Sequence, residues 1–357
     1  MRAAVYDSVR GDIEIRSLPV PVCPPDGVVV EVRATGVCRS DWHAWQGHDP
    51  VALPHVPGHE FAGVVSAVGP EVTHWSVGDR VTAPFVLGCG RCGLCQAGDP
   101  QVCPGQTQPG FTYHGSFAEF VAVNAADFNL VALPEPIAFE SAAALGCRFA
   151  TAFRALTGHA RLLPGETVAI FGCGGVGLSG VMIASAIGAR VIAVDVSAGA
   201  LERARRMGAR DTVLVDDPAD PGPVTEAVRA LTEDGAHVTM DASGSEATVQ
   251  ACVGSLRRRG RHVQVGLLFG ADARCRVPMD RVLAWELRIH GSHGIAARDY
   301  AGLLRFVEAG SIDLDDLVGR TIPLEVAGDA LRRMNTGSDP GITIITPGTS
   351  PPRSLGT

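Results

Sequence analysis

The 357-residue sequence predicts an α/β fold in two parts, a β-barrel domain and a doubly wound parallel sheet; a change of pattern near residue 148 predicts it. Before that point, short strand-like runs alternate with turn residues: VVVEVRATG at 28–36, FAGVVSAVG at 61–69, DRVTAPF at 79–85 and FAEFVAV at 117–123. After it, strands and helices alternate: TVAIFG, VGLSGVMIASAIGA, RVIAVDV, AGALERARRMGA and DTVLV. Such alternation gives parallel strands with helices on both faces. Further strands at 237–243 and 261–267, with a helix near 246–256 between them, extend the expected sheet to six strands. A helix near 298–309 and the apolar run ITIIT at 342–346 follow, and the end of the chain is expected to return to the first domain. The boundaries expected are 1–147 with 293–357 for the first domain and 148–292 for the second.

The 43 glycines and 24 prolines imply more tight turns than a helix bundle uses. With 46% hydrophobic residues the chain can fill two cores, and it is too apolar to be disordered. The net charge is -8, and the longest basic run is Arg257–Arg259, read as a solvated helix end; nucleic acid is therefore not an expected partner. No charged start followed by an apolar segment is seen, and no apolar run of about 18 residues, so a cytoplasmic protein with no membrane partner is expected. The tail TPGTSPPRSLGT at 346–357 is expected to fray.

Cys89, Cys92, Cys95 and Cys103 lie in one Gly-rich stretch, with Gly88, Gly90, Gly93 and Gly98 allowing the backbone to turn their thiols inward. Tetrahedral Zn(II) matches four thiolates. Two local disulfides are the competing reading, but they suit a short secreted chain and conflict with a reducing compartment. Four protein thiolates leave no open position, so the lobe at 88–104 is expected to be structural. A zinc of this kind stabilises small peptides by roughly 10–16 kcal/mol.

The strand TVAIF runs directly into Gly172-Cys173-Gly174-Gly175-Val176-Gly177, which opens an apolar helix, and Asp195 closes the next strand. The first glycine suits a tight turn, the second a close approach of a pyrophosphate, and the third close packing of helix on strand. The helix N-terminus then offers N–H groups to phosphate. Asp195 can accept both ribose hydroxyls of NAD and would repel a 2′-phosphate; Val196 and Ser197 follow it with no adjacent arginine. NAD is therefore expected over NADP, with Arg203 or Arg205 on the next helix as the residues able to reverse that preference. Cys173 is read as a packing residue.

Three further segments carry ligand-type residues: GVCRSDWH around Cys38, PGHEFAG around His59 and LGCRFATAF around Cys147. Singly, each fits a small buried thiol or an ordinary histidine. Together, two thiolates and one imidazole describe an open metal site.

With these segments in this order, the chain resembles the zinc-dependent alcohol dehydrogenases of the medium-chain dehydrogenase/reductase superfamily, over nearly its whole length. The resemblance implies a GroES-like catalytic domain, a Rossmann domain and two zinc ions per subunit. It puts a catalytic zinc on Cys38, His59 and Cys147, makes Glu60 an exchangeable ligand or a residue behind the ligands, and makes Asp41 the orienter of His59. It implies cofactor contacts from Arg39 to the pyrophosphate, from Thr151 on the nicotinamide side, and from Val265, Leu267 and Ser292. It implies hydride transfer between an alcohol and NAD, with the alcohol proton passing through the Ser40 hydroxyl and the nicotinamide ribose to His43, expected to release it near a pKa of about 6.5. Plain turn and surface roles are the other reading of those two residues. A homodimer or homotetramer is also implied, against a monomer.

Trp42, Trp45, Phe85 and Phe111 are expected to crowd the substrate site, with core packing as their alternative role. The sequence departs from its relatives in two places. PGITIITP lacks an arginine often found there, and Ala200 stands where some carry a ribose-contacting lysine. Polyols, amino-alcohols and unsaturated or imine compounds are the alternative substrates; a non-catalytic zinc and nucleotide-binding protein is the remaining class. Cys147 argues against the polyol enzymes, which use the glutamate after the histidine instead.

Overall fold

The computed structural model describes residues 1–312, 314–335 and 341–348. The tail expected to fray falls outside the described residues from 349 onward. Two compact units are present, the first comprising the described parts of Met1–Ala150, Gly294–Glu308 and Asp313–Thr357, the second Thr151–His293 with Ala309–Ile312.

The first unit is organised by the strand Val28–Gly36, whose β-branched residues suit a pleated, buried surface. It pairs antiparallel with Glu60–Val68, Phe120–Val123 and Ile342–Thr346. The last of these brings the end of the described chain back to the first unit. Arg80–Thr82, Val131–Ala132 and Val318–Pro323 complete the seven-stranded sheet. Val28, Val30 and Val32 meet Phe61, Val65 and Val81 in one core. The expected strands at 79–85 and 117–123 are shorter, Arg80–Thr82 and Phe120–Val123.

Helix Arg39–Gln46 leaves this sheet at Cys38, where the Cys38 backbone N–H donates to Asp41 Oδ2 at 3.0 Å, and it ends at Gly47, with φ of 82°. Trp45 departs from expectation here. It is 3% exposed, packs in a second core with Tyr6, Phe117 and Leu331, and donates its indole N–H to the Gly11 carbonyl. One face of an eight-residue helix must be covered, and Trp45 provides that covering.

The second unit is a six-stranded sheet in the order Asp211–Leu214, Arg190–Asp195, Thr167–Phe171, Ala236–Asp241, Leu256–Gln264, Arg288–Gly291, parallel throughout. Numbered along the chain this is 3-2-1-4-5-6, the dinucleotide-binding order. Arg257–Arg259 do not end a helix. The helix Glu246–Ser255 stops one residue before the strand Leu256–Gln264, in which the three arginines stand; Arg259 has φ of 59°, and Arg258 lies over the Trp285 ring. Leu256, fully buried, is what pulls the chain into the sheet at that point.

The glycine-rich turn follows the strand Thr167–Phe171. Gly172 has φ of 88°, where a side chain is strained. A Cβ at Gly177 would stand 1.7 Å from the Gly172 carbonyl oxygen, whereas one at Gly174 would meet no atom within 4 Å. Gly177→Ala is therefore expected to lower stability by about 1–3 kcal/mol or more in thermal unfolding, and Gly174→Ala to leave it unchanged within about 0.5 kcal/mol.

Candidate active site

Among the described residues, two groups of metal-ligand side chains converge, both in the first unit. In the lobe, the thiols of Cys89, Cys92, Cys95 and Cys103 all lie within 4.8 Å of one another. Cys89 and Cys95 sulfurs are 4.0 Å apart and Cys92 and Cys103 sulfurs 3.6 Å. A disulfide would need about 2.05 Å, whereas thiolates on a tetrahedral zinc, with bonds of about 2.3 Å, sit about 3.8 Å from each other. The disulfide reading is set aside, and all four cysteines are free. Backbone N–H groups point at the sulfurs: Cys95 N–H at Cys92, and Gly105 N–H at Cys103. The N–H groups of Arg91 and Cys92 hold the Cys89 thiol down to about 6, while burial pushes Cys95 up to about 12. A cation can turn all four into thiolates together.

The second group unites residues far apart in sequence: Cys38, His59, Glu60 and Cys147, all buried, with ligand atoms within 4.8 Å of one another. Cys38 caps its helix, and His59 and Glu60 stand where the strand Glu60–Val68 begins. Cys147 lies in the π-helical turn Leu145–Phe149, an irregularity that often marks a functional site. Asp41, fully buried, binds this group together. Its Oδ2 accepts from the Cys38 backbone N–H, and its Oδ1 accepts from Gly58 N–H at 3.0 Å and His59 Nδ1 at 2.9 Å. With Nδ1 so occupied, His59 turns Nε2 inward, and that nitrogen is buried with no hydrogen-bond partner among the described residues.

The electrostatics fit a cation. The hydrogen bond with Cys147, with help from the Arg148 and His59 charges, holds the Cys38 thiol well below its ordinary value. The same bond pushes Cys147 up, with burial acting in the same direction, and a cation binding both sulfurs would displace the proton between them. Burial lowers His59, but Asp41 outweighs it and leaves the imidazole raised. Protons and metal therefore compete for Nε2.

Ser40 Oγ lies 3.8 Å from Cys38 Sγ. His43, one turn further along the helix, does not have the ordinary imidazole pKa expected of it: burial first, then the charges of His48 and Arg39, push it down to about 4. His43 and His48 bring their Nδ1 atoms to 2.9 Å, a contact the sequence did not signal. Arg39 donates to the Met334 carbonyl and stacks on Trp42, whose indole donates to Asn335. Phe85 and Phe111 stand edge-on to the His59 ring, with centroids 6.0 and 5.3 Å away. They form an apolar wall beside the ligands.

In the second unit, Gly174 caps the helix Gly175–Ile187 without a side chain, leaving the N–H groups of its first turn, at Gly175, Val176 and Gly177, for an anion. A pocket of about 100 Å³ borders this turn, lined by Gly172, Asp195, Val196, Ser243 and Thr248 among others. Asp195 accepts from Cys173 N–H and Ser197 N–H, which fixes its carboxylate at the pocket's edge. Arg205 is spent on Thr212 and Glu202. Arg203 lies near enough for its charge to act on Cys173, whose thiol burial pushes up to about 12. The hydroxyls of Thr151 and Ser292 are buried and lack partners among the described residues. Val265 N–H is bound to the Asp241 carbonyl, and Leu267 is half exposed. Buried Ala200 accepts no polar role. These residues fit a dinucleotide as the cysteine and histidine sets fit zinc.

Residues 24–135 match the alcohol dehydrogenase GroES-like domain, and residues 175–309 match the zinc-binding dehydrogenase domain. An alcohol dehydrogenase of Geobacillus stearothermophilus is 34% identical over 352 residues, covering 97% of this chain and 99% of that protein. The chain belongs to the zinc-binding alcohol dehydrogenase family. It is an oxidoreductase of the medium-chain dehydrogenase/reductase superfamily. The sorbitol dehydrogenase of Bacillus subtilis is 33% identical, covering 93% of each chain. The crystal structure of an NAD-dependent alcohol dehydrogenase superposes with a TM-score of 0.85 at 33% identity, covering 98% of this chain and all of that one.

In this dehydrogenase, Asp41→Asn places an amide where a carboxylate receives N–H groups from three directions. It is expected to weaken zinc at the Cys38 site by about 10–100-fold, leaving the four-cysteine lobe loaded, so that chelator titration becomes clearly biphasic.

Proposed function

We propose that the protein oxidises an uncharged, partly apolar alcohol with NAD, or reduces the corresponding aldehyde or ketone, at a zinc held by Cys38, His59 and Cys147. The convergence of those three buried ligands, with His59 Nε2 turned inward and unbonded, carries the reading. A second zinc, on Cys89, Cys92, Cys95 and Cys103, is structural, since its four thiolates saturate it. When bound, zinc supplies a Lewis acid that lowers the pKa of an alcohol, and NAD supplies the hydride acceptor.

The chain's own residues do the rest. Asp41 fixes the imidazole tautomer through Nδ1, and its bond to Cys38 N–H fixes the neighbouring thiolate. Phe85 and Phe111 exclude water from the side of His59 and favour an apolar substituent. Ser40 Oγ takes the substrate proton beside Cys38, and His43 is the neutral acceptor further along the same helix face. Because burial holds His43 near 4, it is neutral throughout pH 5–9 and would pass an accepted proton on to solvent instead of keeping it. Asp195 selects NAD by its charge, and the first turn of Gly175–Ile187 binds the pyrophosphate. Arg39, Thr151, Val265, Leu267 and Ser292 complete the cofactor contacts. The reading places catalysis in residues 1–147 with 293–357 and cofactor binding in 148–292, in a cytoplasmic homodimer or homotetramer. Among the described residues no helix is long and apolar enough to cross a membrane.

Polyols are the second reading, favoured by the sorbitol dehydrogenase relative. A thiolate at Cys147 and two phenylalanines beside His59 favour simple alcohols. Metal content and NAD reduction across alcohols, polyols and amino-alcohols test the choice. Cys147→Ala is expected to remain folded, keep the lobe zinc, lose the other and lose most activity. Unfolding of that variant, or an unchanged zinc content, contradicts the assignment.

A further inference from the structure

The residue after each of two ligands forms a buried ion pair with the other. Glu60 follows His59, Arg148 follows Cys147, and their side chains are 0% and 9% exposed. Arg148 Nη2 donates to Glu60 Oε2 at 2.5 Å, while Arg148 Nε and the Arg148 backbone N–H donate to Oε1 at 3.2 and 3.3 Å. Both carboxylate oxygens are therefore engaged by one residue, from two sides.

The surroundings are shaped to hold this pair. A Cβ at Gly36 would stand 2.3 Å from Glu60 Oε2 and 3.3 Å from Arg148 Nη2, and one at Gly146 would stand 3.1 Å from Glu60 Cα. The Gly146 carbonyl is pinned by the Tyr300 hydroxyl at 3.0 Å, which fixes the turn that presents Arg148. Space is thus reserved for a planar guanidinium against a carboxylate.

Glu60 nevertheless belongs to the metal-ligand group by position, since its oxygen lies within 4.8 Å of the Cys38, His59 and Cys147 ligand atoms. A carboxylate is a sound zinc ligand, and four protein ligands would close the site. The charges divide neatly into two neutral sets: a divalent cation with two thiolates, and Glu60 with Arg148. If the guanidinium is removed, the nearest cation for the buried carboxylate is the metal, and ligation to it offsets part of the cost of burial.

We infer that Arg148 is a positioning residue that holds Glu60 off the catalytic metal and so keeps the site at three protein ligands with a position open for substrate. This rests on the zinc site proposed above and adds to it the residue that sets its coordination number.

The test compares Arg148→Gln, Arg148→Lys and the double variant Arg148→Gln/Glu60→Gln in zinc-loaded protein. Retention of the second zinc against a chelator and turnover are both measured. Arg148→Gln is expected to hold that zinc at least about tenfold more tightly and to turn over at least about tenfold more slowly, its carboxylate having become a ligand. In the cobalt-substituted protein, its visible absorption should shift with the added oxygen ligand. The double variant, with no carboxylate to capture, should return retention, spectrum and turnover toward wild type, and Arg148→Lys should stay near wild type. Wild-type zinc retention and spectrum in Arg148→Gln overturn the inference, as does a double variant that behaves like the single one. An Arg148→Gln protein that fails to fold with zinc present also counts against it, because the metal should then hold the carboxylate as a ligand. If wild type itself holds no second zinc, it is the underlying site that fails, and the chelator curve of wild type alone reveals that.

Discussion

The candidate active site depends on one buried carboxylate. Asp41 accepts hydrogen bonds from the Cys38 backbone, the Gly58 backbone and the His59 ring, and so ties the start of one helix to the segment leading into another strand. Without it, the two segments meet with unpaired N–H groups in a water-excluded space, a costly arrangement. Because the same carboxylate sets the His59 tautomer, folding of the first unit and preparation of a metal ligand are one event. The two thiols are joined to each other as well, the bond between them lowering Cys38 and raising Cys147.

The same division of labour recurs nearby. The four-cysteine lobe is local, spanning residues 89–103, and its thiols are served by backbone N–H groups of the lobe itself. Four thiolates there would saturate a zinc ion and leave no position for chemistry. The Cys38 group is assembled from three separated segments and bordered by Phe85 and Phe111, which is the architecture of a site that must admit a substrate. In the second unit, an uncapped helix start and an aspartate at the adjacent strand end are the groups that would receive a dinucleotide.

How much of this was legible in the sequence follows from how local each feature is. The lobe and the glycine turn could be read because spacing within a few residues determines their geometry. The set Cys38, His59 and Cys147 could be proposed from residue type, but its assignment to a catalytic zinc came from family resemblance, since nothing in a one-dimensional pattern brings residue 38 to 59 and 147. The grip of Asp41 on Gly58, the His43 contact with His48 and the pairing of Glu60 with Arg148 across 88 residues had no sequence signal at all. Trp45 was misjudged because proximity in sequence to Cys38 says nothing about helix face. The π-helical turn at Leu145–Phe149 was missed for a related reason, as its apolar residues fit an ordinary helix equally well. His43 illustrates a subtler gap: the residue type suggested an imidazole near neutrality, and burial beside other cations moved it to about 4.

The central claim is that this chain carries two chemically different zinc sites, one closed by four thiolates and one opened by two thiolates and an imidazole. Zinc X-ray absorption on the metal-replete protein tests it most directly, because it counts sulfur neighbours. With four sulfurs at one site and two at the other, the account predicts an average of about three sulfurs per zinc at about 2.3 Å, the remainder nitrogen or oxygen, with two zinc ions per chain. A single zinc with four sulfur neighbours would contradict it.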